Sequence, residues 1–352
     1  MKNAFWIFSL VAVICGACHA QETKHASLVS KVLAGYSPPA EKNGNPDAMA
    51  NFAHKFLESL GGDLKKQALL AYDSKERGIW TNTPPRGPQG GVRLGDCDKG
   101  QLKLACNLLR IVMSQQGYEK ARNVMLADDL LLRNGKPRPG FGAENFWLAI
   151  FGEPSATKPW AIQLDGHHVA INLSFHGEKI SLSPSFIGTQ PRAIKYAGKK
   201  IEVMEGEVGV AYELINSLSD EQKREAIISK KRGGIATAPS TKDGVIPEPT
   251  GFACKKFNDE QRGLVKALLM EYVGDLPAKQ AGKRLEQLMA EVNQMTFAWS
   301  GPTTVESDIS YRLQGPTLII EYACQDLGGD PLDHLHSMYR NPKNEYGVGD
   351  LK

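Results

Sequence analysis

The sequence predicts an α+β fold: one mostly antiparallel sheet built from two strand blocks, at about 146–200 and 295–340, with helices covering one side. Three observations carry this. Apolar residues recur at helical spacing through 47–133 and 205–294. The period switches to two at Phe146 and again after Gln294. Each strand block is too small to stand alone as a sheet with two covered faces, so sharing one sheet is the economical arrangement. Two separate domains is the alternative.

The 352 residues suffice for one large or two ordinary domains. A net charge of +3 is too small to argue for nucleic acid or a membrane surface. No internal stretch approaches the ~20 apolar residues that span a bilayer.

The elements follow in order. Lys2, the apolar run Phe5–Ala17 and small Ala20 read as a secretory signal over 1–20, which implies a periplasmic or secreted protein. A lipoprotein variant would instead anchor at Cys18. Residues 21–47 read as a flexible leader and loop, the Pro- and Asn-rich part from Tyr36 to Pro46 lacking regular structure. Residues 48–352 then form the α+β domain. Met49, Phe52, Phe56, Leu57 and Leu60 mark a helix that Gly61-Gly62 stops, and a short one follows at 64–72. The Gly/Pro-rich segment 77–95 is irregular. Its Arg77, Trp80, Arg86 and Arg93 either line a pocket for an anionic group or form a plain surface crossover.

Segments 99–116 and 118–133 read as an antiparallel helix pair turned at Gly117, their charged residues forming a solvated face. FWLAIFG, WAIQLD, HHVAINLSF and EKISLSPSF then read as a meander. Helices return at 205–218 and, behind the capping pattern Ser219–Gln222, run to Lys231. After a loop at 233–250, Asn258–Gln261 repeats the capping signal. The two starts are taken as independent and not as an internal repeat. Helices at 264–273 and 278–294 lead into MTFAWSG, SDISYRLQG and PTLIIEYACQD, and the tail 341–352 is turn-rich.

Export also decides how the cysteines read. Cys97, Cys106, Cys254 and Cys324 remain after signal removal, an even number in an oxidising compartment, which suggests disulfides. Cys97 with Cys106 is the local choice, and Cys254 with Cys324 would tie a helical region to a late strand. Buried free thiols are the alternative.

Five of the chain's eight histidines fall in two strand-like segments, Trp160–His176 and Asp333–Arg340. Residues two apart in a strand share a face. His168, Ala170, Asn172, Ser174 and His176 form a polar face, and His167 lies with the apolar one. Gly166 permits a turn or bulge that re-aims His167. His334 and His336 share a face where one ion can bind both. Asp165 can orient an imidazole. Glu321 lies in an apolar run and needs a metal, an arginine (Arg312 or Arg340) or a proton. Nitrogen-rich sets with a carboxylate suit Zn, Cu or Fe. The structural alternative is that these histidines are satisfied polar groups in a binding cleft. No GxSxG, Walker, GxGxxG or HExxH pattern occurs.

WAIQLDGHHVAINLSF, SPSFIGTQP, FAWSG, YRLQGPTLIIEY and HLHSMYRNPKNEYG, in that order from about Arg77 to Gly347, resemble the family called domain of unknown function 3500. Asp165 stands where members commonly have Glu, and Asn341 and Glu345 where they commonly have Asp. The resemblance implies that His167, His168, His334, His336 and Glu321 lie in hallmark motifs and that many members are exported. It implies no activity.

The resulting expectation is an exported metal-dependent enzyme, a hydrolase by default. His167, His168, His334 and His336 serve as metal ligands, Asp165, Glu321 and Arg340 as catalytic groups, and a small molecule as substrate. A non-catalytic periplasmic binding protein using Arg77, Arg86 and Arg340 as anchors is the alternative. A copper- or iron-dependent oxidoreductase is the second.

Overall fold

In the computed structural model, which describes residues 26–39, 43–87, 89–135, 138–327 and 329–349, the two strand blocks join edge to edge in one sheet. The expected signal at 1–20, with Cys18, lies outside the described residues.

After helix α1 (Leu28–Gly35), the chain runs through one order of elements twice. The first pass is α2 (Pro46–Ser59), α3 (Gly62–Ala68), β1 (Leu69–Leu70), β2 (Val92–Arg93), α4 (Lys99–Val112) and α5 (Gln115–Asn134). It ends in the meander β3 (Phe146–Phe151), β4 (Trp160–Gly166), β5 (Val169–His176) and β6 (Lys179–Thr189). A hairpin of β7 (Ala193–Tyr196) and β8 (Lys199–Glu202) connects the halves. The second pass is α6 (Glu205–Ser217), α7 (Asp220–Ala226), β9 (Ile227–Ser229), β10 (Phe252–Ala253), α8 (Asp259–Val273) and α9 (Ala278–Ala290). It ends in β11 (Thr296–Ser300), β12 (Ser310–Gly315), β13 (Leu318–Cys324) and β14 (Leu335–Arg340).

Local chemistry repeats too. β1 pairs parallel and β2 antiparallel with β3; β9 and β10 do the same with β11. Gln101 closes a capping box with Asp98 and donates to the Ser59 carbonyl at 2.9 Å. Gln261 closes one with Asn258 and donates to the Ser217 carbonyl at 3.0 Å. Gly91 and Gly251 both hold positive φ, and a Cβ at either would strike the backbone of β3 or β11. The starts at Ser219 and Asn258 are therefore unrelated, as expected, but the chain does contain a repeat. The counterpart of Asn258–Gln261 is Asp98–Gln101.

The sheet order is β1-β3-β4-β5-β6-β14-β13-β12-β11-β10, with β2 beside β3 and β9 beside β11. The halves meet at the antiparallel pair β6–β14, where Tyr339 faces Ser185 and His336 faces Gly188. The main core lies between one face of the sheet and the helices. Loops cover the other face, with Trp80, Ile235 and Ala238 packing on Ala170, Phe186 and Met338. One transverse row there reads Trp147, Asp165, Ala170, Phe186, Met338, Glu321 and Arg312.

Several expectations change. Part of the leader is α1, capped by Ser27 and burying Val29, Val32 and Leu33. α7 stops at Ala226, and Ile227–Ser229 become β9. Gly117 lies inside α5, where a Cβ would meet the Asp275 backbone; Ser114 caps that helix instead. The charges on α5 are not a solvated face: Lys120, Arg122, Asp128 and Asp129 are buried, with Lys120 Nζ 2.7 Å from Glu207 and 3.2 Å from Asp275. Cys97, Cys106, Cys254 and Cys324 are all free and buried, which corrects the disulfide expectation. Burial raises the thiols of Cys97 and Cys106 to about 11 and that of Cys254 to about 12, so they are unreactive at neutral pH.

Candidate metal centre

Gly166 and Val169 pair across β4 and β5, which leaves His167 and His168 as the turn between them. His168 carries φ +68°, a left-handed conformation in which histidine is among the better-tolerated non-glycine residues. The turn throws its ring off the strand face and over the end of β6. There the Gly188 N–H donates to the His168 carbonyl at 2.7 Å. His336 lies in β14 opposite Gly188, and His334 just precedes that strand.

The three rings converge on their Nε2 atoms. His334 Nε2 is 2.9 Å from His168 Nε2 and 3.0 Å from His336 Nε2. Tetrahedral ligands at metal–nitrogen lengths of ~2.0–2.1 Å stand about 3.3 Å apart, so small ring movements admit an ion. Burial, reinforced by the neighbouring imidazoles, lowers the pKa of His168 and His336 far below the usual histidine value and lowers that of His334 as well. Neutral rings with available lone pairs are the form that binds metal. His334 Nδ1 lies 2.7 Å from the Leu327 carbonyl, which fixes the proton on Nδ1 and leaves Nε2 bare. One bare lone pair then faces two other Nε2 atoms, an arrangement that a cation resolves better than hydrogen bonds do.

His167 stands beside this trio. Its Nδ1 is 2.5 Å from Asp128 Oδ1, and Asp128 Oδ2 accepts the Gly142 N–H at 2.7 Å. Its ring stacks on Phe141 at 4.8 Å and on His168 at 3.7 Å between centroids. Ligand atoms of Asp128, His167 and His168 also lie within 4.8 Å of one another. These two histidine groups could hold a metal ion. His168, His334 and His336 is the better set, because its three nitrogens share one focus.

The other expected residues lie elsewhere. The Glu321 carboxylate accepts the Ala236 and Thr237 N–H groups and the Thr237 hydroxyl at 2.7–3.2 Å, with Arg312 Nε at 3.3 Å. It pins a loop and is not among the ligand atoms that converge with the histidines. Arg340, 1% exposed, holds Thr237 O, Asp243 and Glu345. Arg77 is bound to Tyr72 O, Ser174 and Tyr346 O, and Arg93 to Asp96 and Asn145, so neither offers a free anion anchor. Asp165 takes the Thr81 N–H on Oδ1; its Oδ2 is buried without a partner, and burial pushes its pKa up to about 8. His176 is half-buried at the far end of β5.

Sequence reasoning missed Asp128, Phe141 and Gly188. Asp128 had a readable signal: it stands between Leu126-Ala127 and Leu130, where an acid interrupts an apolar helical stretch. A family model described as protein of unknown function (DUF3500) matches residues 42–348. No curated protein and no solved structure matches the chain. The matched span contains both halves of the sheet, the His167–His168 turn and the His334/His336 pair, and the chain belongs to the DUF3500 family.

Proposed function

We propose that this protein is a metal-dependent enzyme, a hydrolase by default, with His168, His334 and His336 as the ligands of a divalent transition metal. The observation that supports this is the convergence of three Nε2 atoms, those of His168 and His336 both within 3.0 Å of the central one on His334. Held by these three residues, a zinc ion would supply a bound water with its pKa lowered from 15.7 to about 7. The chain's own contribution is proton handling and orientation. Asp128 fixes the His167 tautomer, which leaves the other ring nitrogen to accept a proton from a reacting water. The stack of Phe141 on His167, and of His167 on His168, excludes solvent from that side. His336 is only half-buried, which leaves an approach for substrate.

A copper- or iron-dependent oxidoreductase draws on the same three imidazoles, since these suit all three metals. The binding-protein reading loses support, because two of its three anchors, Arg77 and Arg340, are consumed by internal partners. A periplasmic or secreted location remains part of the proposal and rests on the amino-terminal segment alone.

Elemental analysis of protein purified without added metal tests the reading. About one equivalent of Zn, Cu or Fe, lost in His334→Ala, is the expected result. No stoichiometric metal, and no thermal shift on adding any of the three, would count against it.

A further inference from the structure

A cavity of about 870 Å³ opens beneath the loop that follows β1, between the Glu76–Gly87 stretch, the β3 strand and the Pro139-Gly140 turn. Its walls carry polar side chains that the fold leaves unused. Trp147 is 94% buried, since only 6% of it is exposed, yet its indole N–H finds no acceptor among the described residues. The Arg86 guanidinium, the Glu76 carboxylate and the Gln67 amide also have no side-chain partner there. Ile79, 51% exposed, adds an apolar patch.

Gly233 and Gly234, where the corresponding loop of the second half begins, line a cavity of only about 70 Å³. Gln314 donates to the Pro247 carbonyl at 2.6 Å and Arg312 to that of Glu248 at 3.4 Å, and these bonds lay that loop on the sheet. The open first-half loop is thus a departure from the repeat, and departures from a repeated plan are where function is added.

The chemistry of the lining selects a ligand class. Charges balance, with Arg86 and Arg93 against Glu76 and Asp96, which argues against an ionic ligand. Unpaired donors (Trp147, Arg86) and an unpaired acceptor (Glu76) line the same cavity. A hydroxyl group satisfies both, because it donates and accepts at once. The indole and Ile79 suit the C–H faces of a ring. We propose that this cavity binds a neutral saccharide and that saccharides are the substrate class of the imidazole centre.

Only the second clause rests on the metal-enzyme reading. The link between cavity and centre is short. Pro139 and Gly140 form the cavity wall, the next residue stacks its ring on His167, and Gly142 donates to Asp128. Trp147 faces Asp165 across the β3–β4 pair, two residues from His167.

Isothermal titration and saturation-transfer NMR on the intact protein would use maltotriose, cellotriose and chitotriose as probes, with inorganic phosphate and triglycine as the competing classes. At least one trisaccharide is expected to bind, with affinity reduced tenfold or more in both Arg86→Ala and Glu76→Gln. His334→Ala, folded by circular dichroism, should lose metal and keep the saccharide. Saccharide binding in a protein that never holds metal would leave the cavity assigned and remove the centre. Binding of phosphate or triglycine alone, of no probe at all, or of a saccharide indifferent to both cavity substitutions would overturn the proposal. So would loss of saccharide binding in His334→Ala, which would place the ligand on the imidazoles.

Discussion

The main-chain N–H of Gly188 donates to the carbonyl of His168 at 2.7 Å, so the turn that carries the imidazole is tied to the neighbouring strand. A side chain at position 188 would intrude on the cluster. Its Cβ would lie 2.8 Å from His336 Cδ2 and 3.0 Å from His168 Cδ2. Gly188→Ala should therefore displace both rings. Overpacking of this kind costs about 1–3 kcal/mol. Metal content after dialysis should fall at least tenfold while the melting temperature drops only a few degrees. Unchanged metal content would mean that the rings are not the ligands.

Asp128→Asn removes the charge that orients His167 but leaves His168, His334 and His336 in place. Loss of an orienting partner to an active-site histidine typically costs about 10–100-fold in activity or metal affinity. The expected result is retained metal and lowered turnover on whichever substrate is found, read by elemental analysis beside an assay.

Glu321→Gln separates the structural role seen for this carboxylate from the ligand role that the sequence suggested. Metal content should not change. Stability should fall by about 1.5–3 kcal/mol, the usual worth of hydrogen bonds to a charged group. Limited proteolysis should find new cleavage in 230–251, because the Ala236 and Thr237 N–H groups lose their charged acceptor.

Asp165 sets a pH dependence. Burial pushes its folded pKa up to about 8 from the ordinary aspartate value of 3.8, so the folded state holds a proton that the unfolded state releases between those values. The associated stability is present below the unfolded pKa and is lost as pH rises through the folded one. Denaturant melts should show stability falling from about pH 4 to about pH 8, with a shallower slope in Asp165→Asn. Parallel curves would show that the carboxyl is ionised in the fold.

Much of this was legible in the chain. The switch of apolar period at Phe146 and after Gln294 marks the strand blocks, and the paired and alternating histidines mark the residues that converge. What pairing does to them was not legible. Strand alternation put His167 and His168 on opposite faces, with Gly166 allowing a turn or bulge to re-aim His167; the two-residue turn that follows Gly166 frees both rings from that alternation. Glu321 looks like a catalytic group because it is a charge in an apolar run, and Arg340 because it could pair with that charge. Their partners, Thr237, Asp243 and Glu345, come from a loop and a tail whose path no periodicity encodes. The repeat was hidden because its matches are short and far apart in the chain: the caps at Asp98 and Asn258, and the Gly78–Thr81 stretch GIWT against the Gly234–Thr237 stretch GIAT.

The halves are clasped by the main-chain pairing of β6 with β14, so the peptide linking them is not what holds the centre together. One imidazole comes from the amino-terminal copy and two from the carboxy-terminal copy. After a cut at the Ala197-Gly198 hairpin, neither piece should carry the three imidazoles of the candidate centre by itself. Reconstitution on mixing should restore the ion site, and a lesion in one piece should be rescued only by an intact version of that same piece.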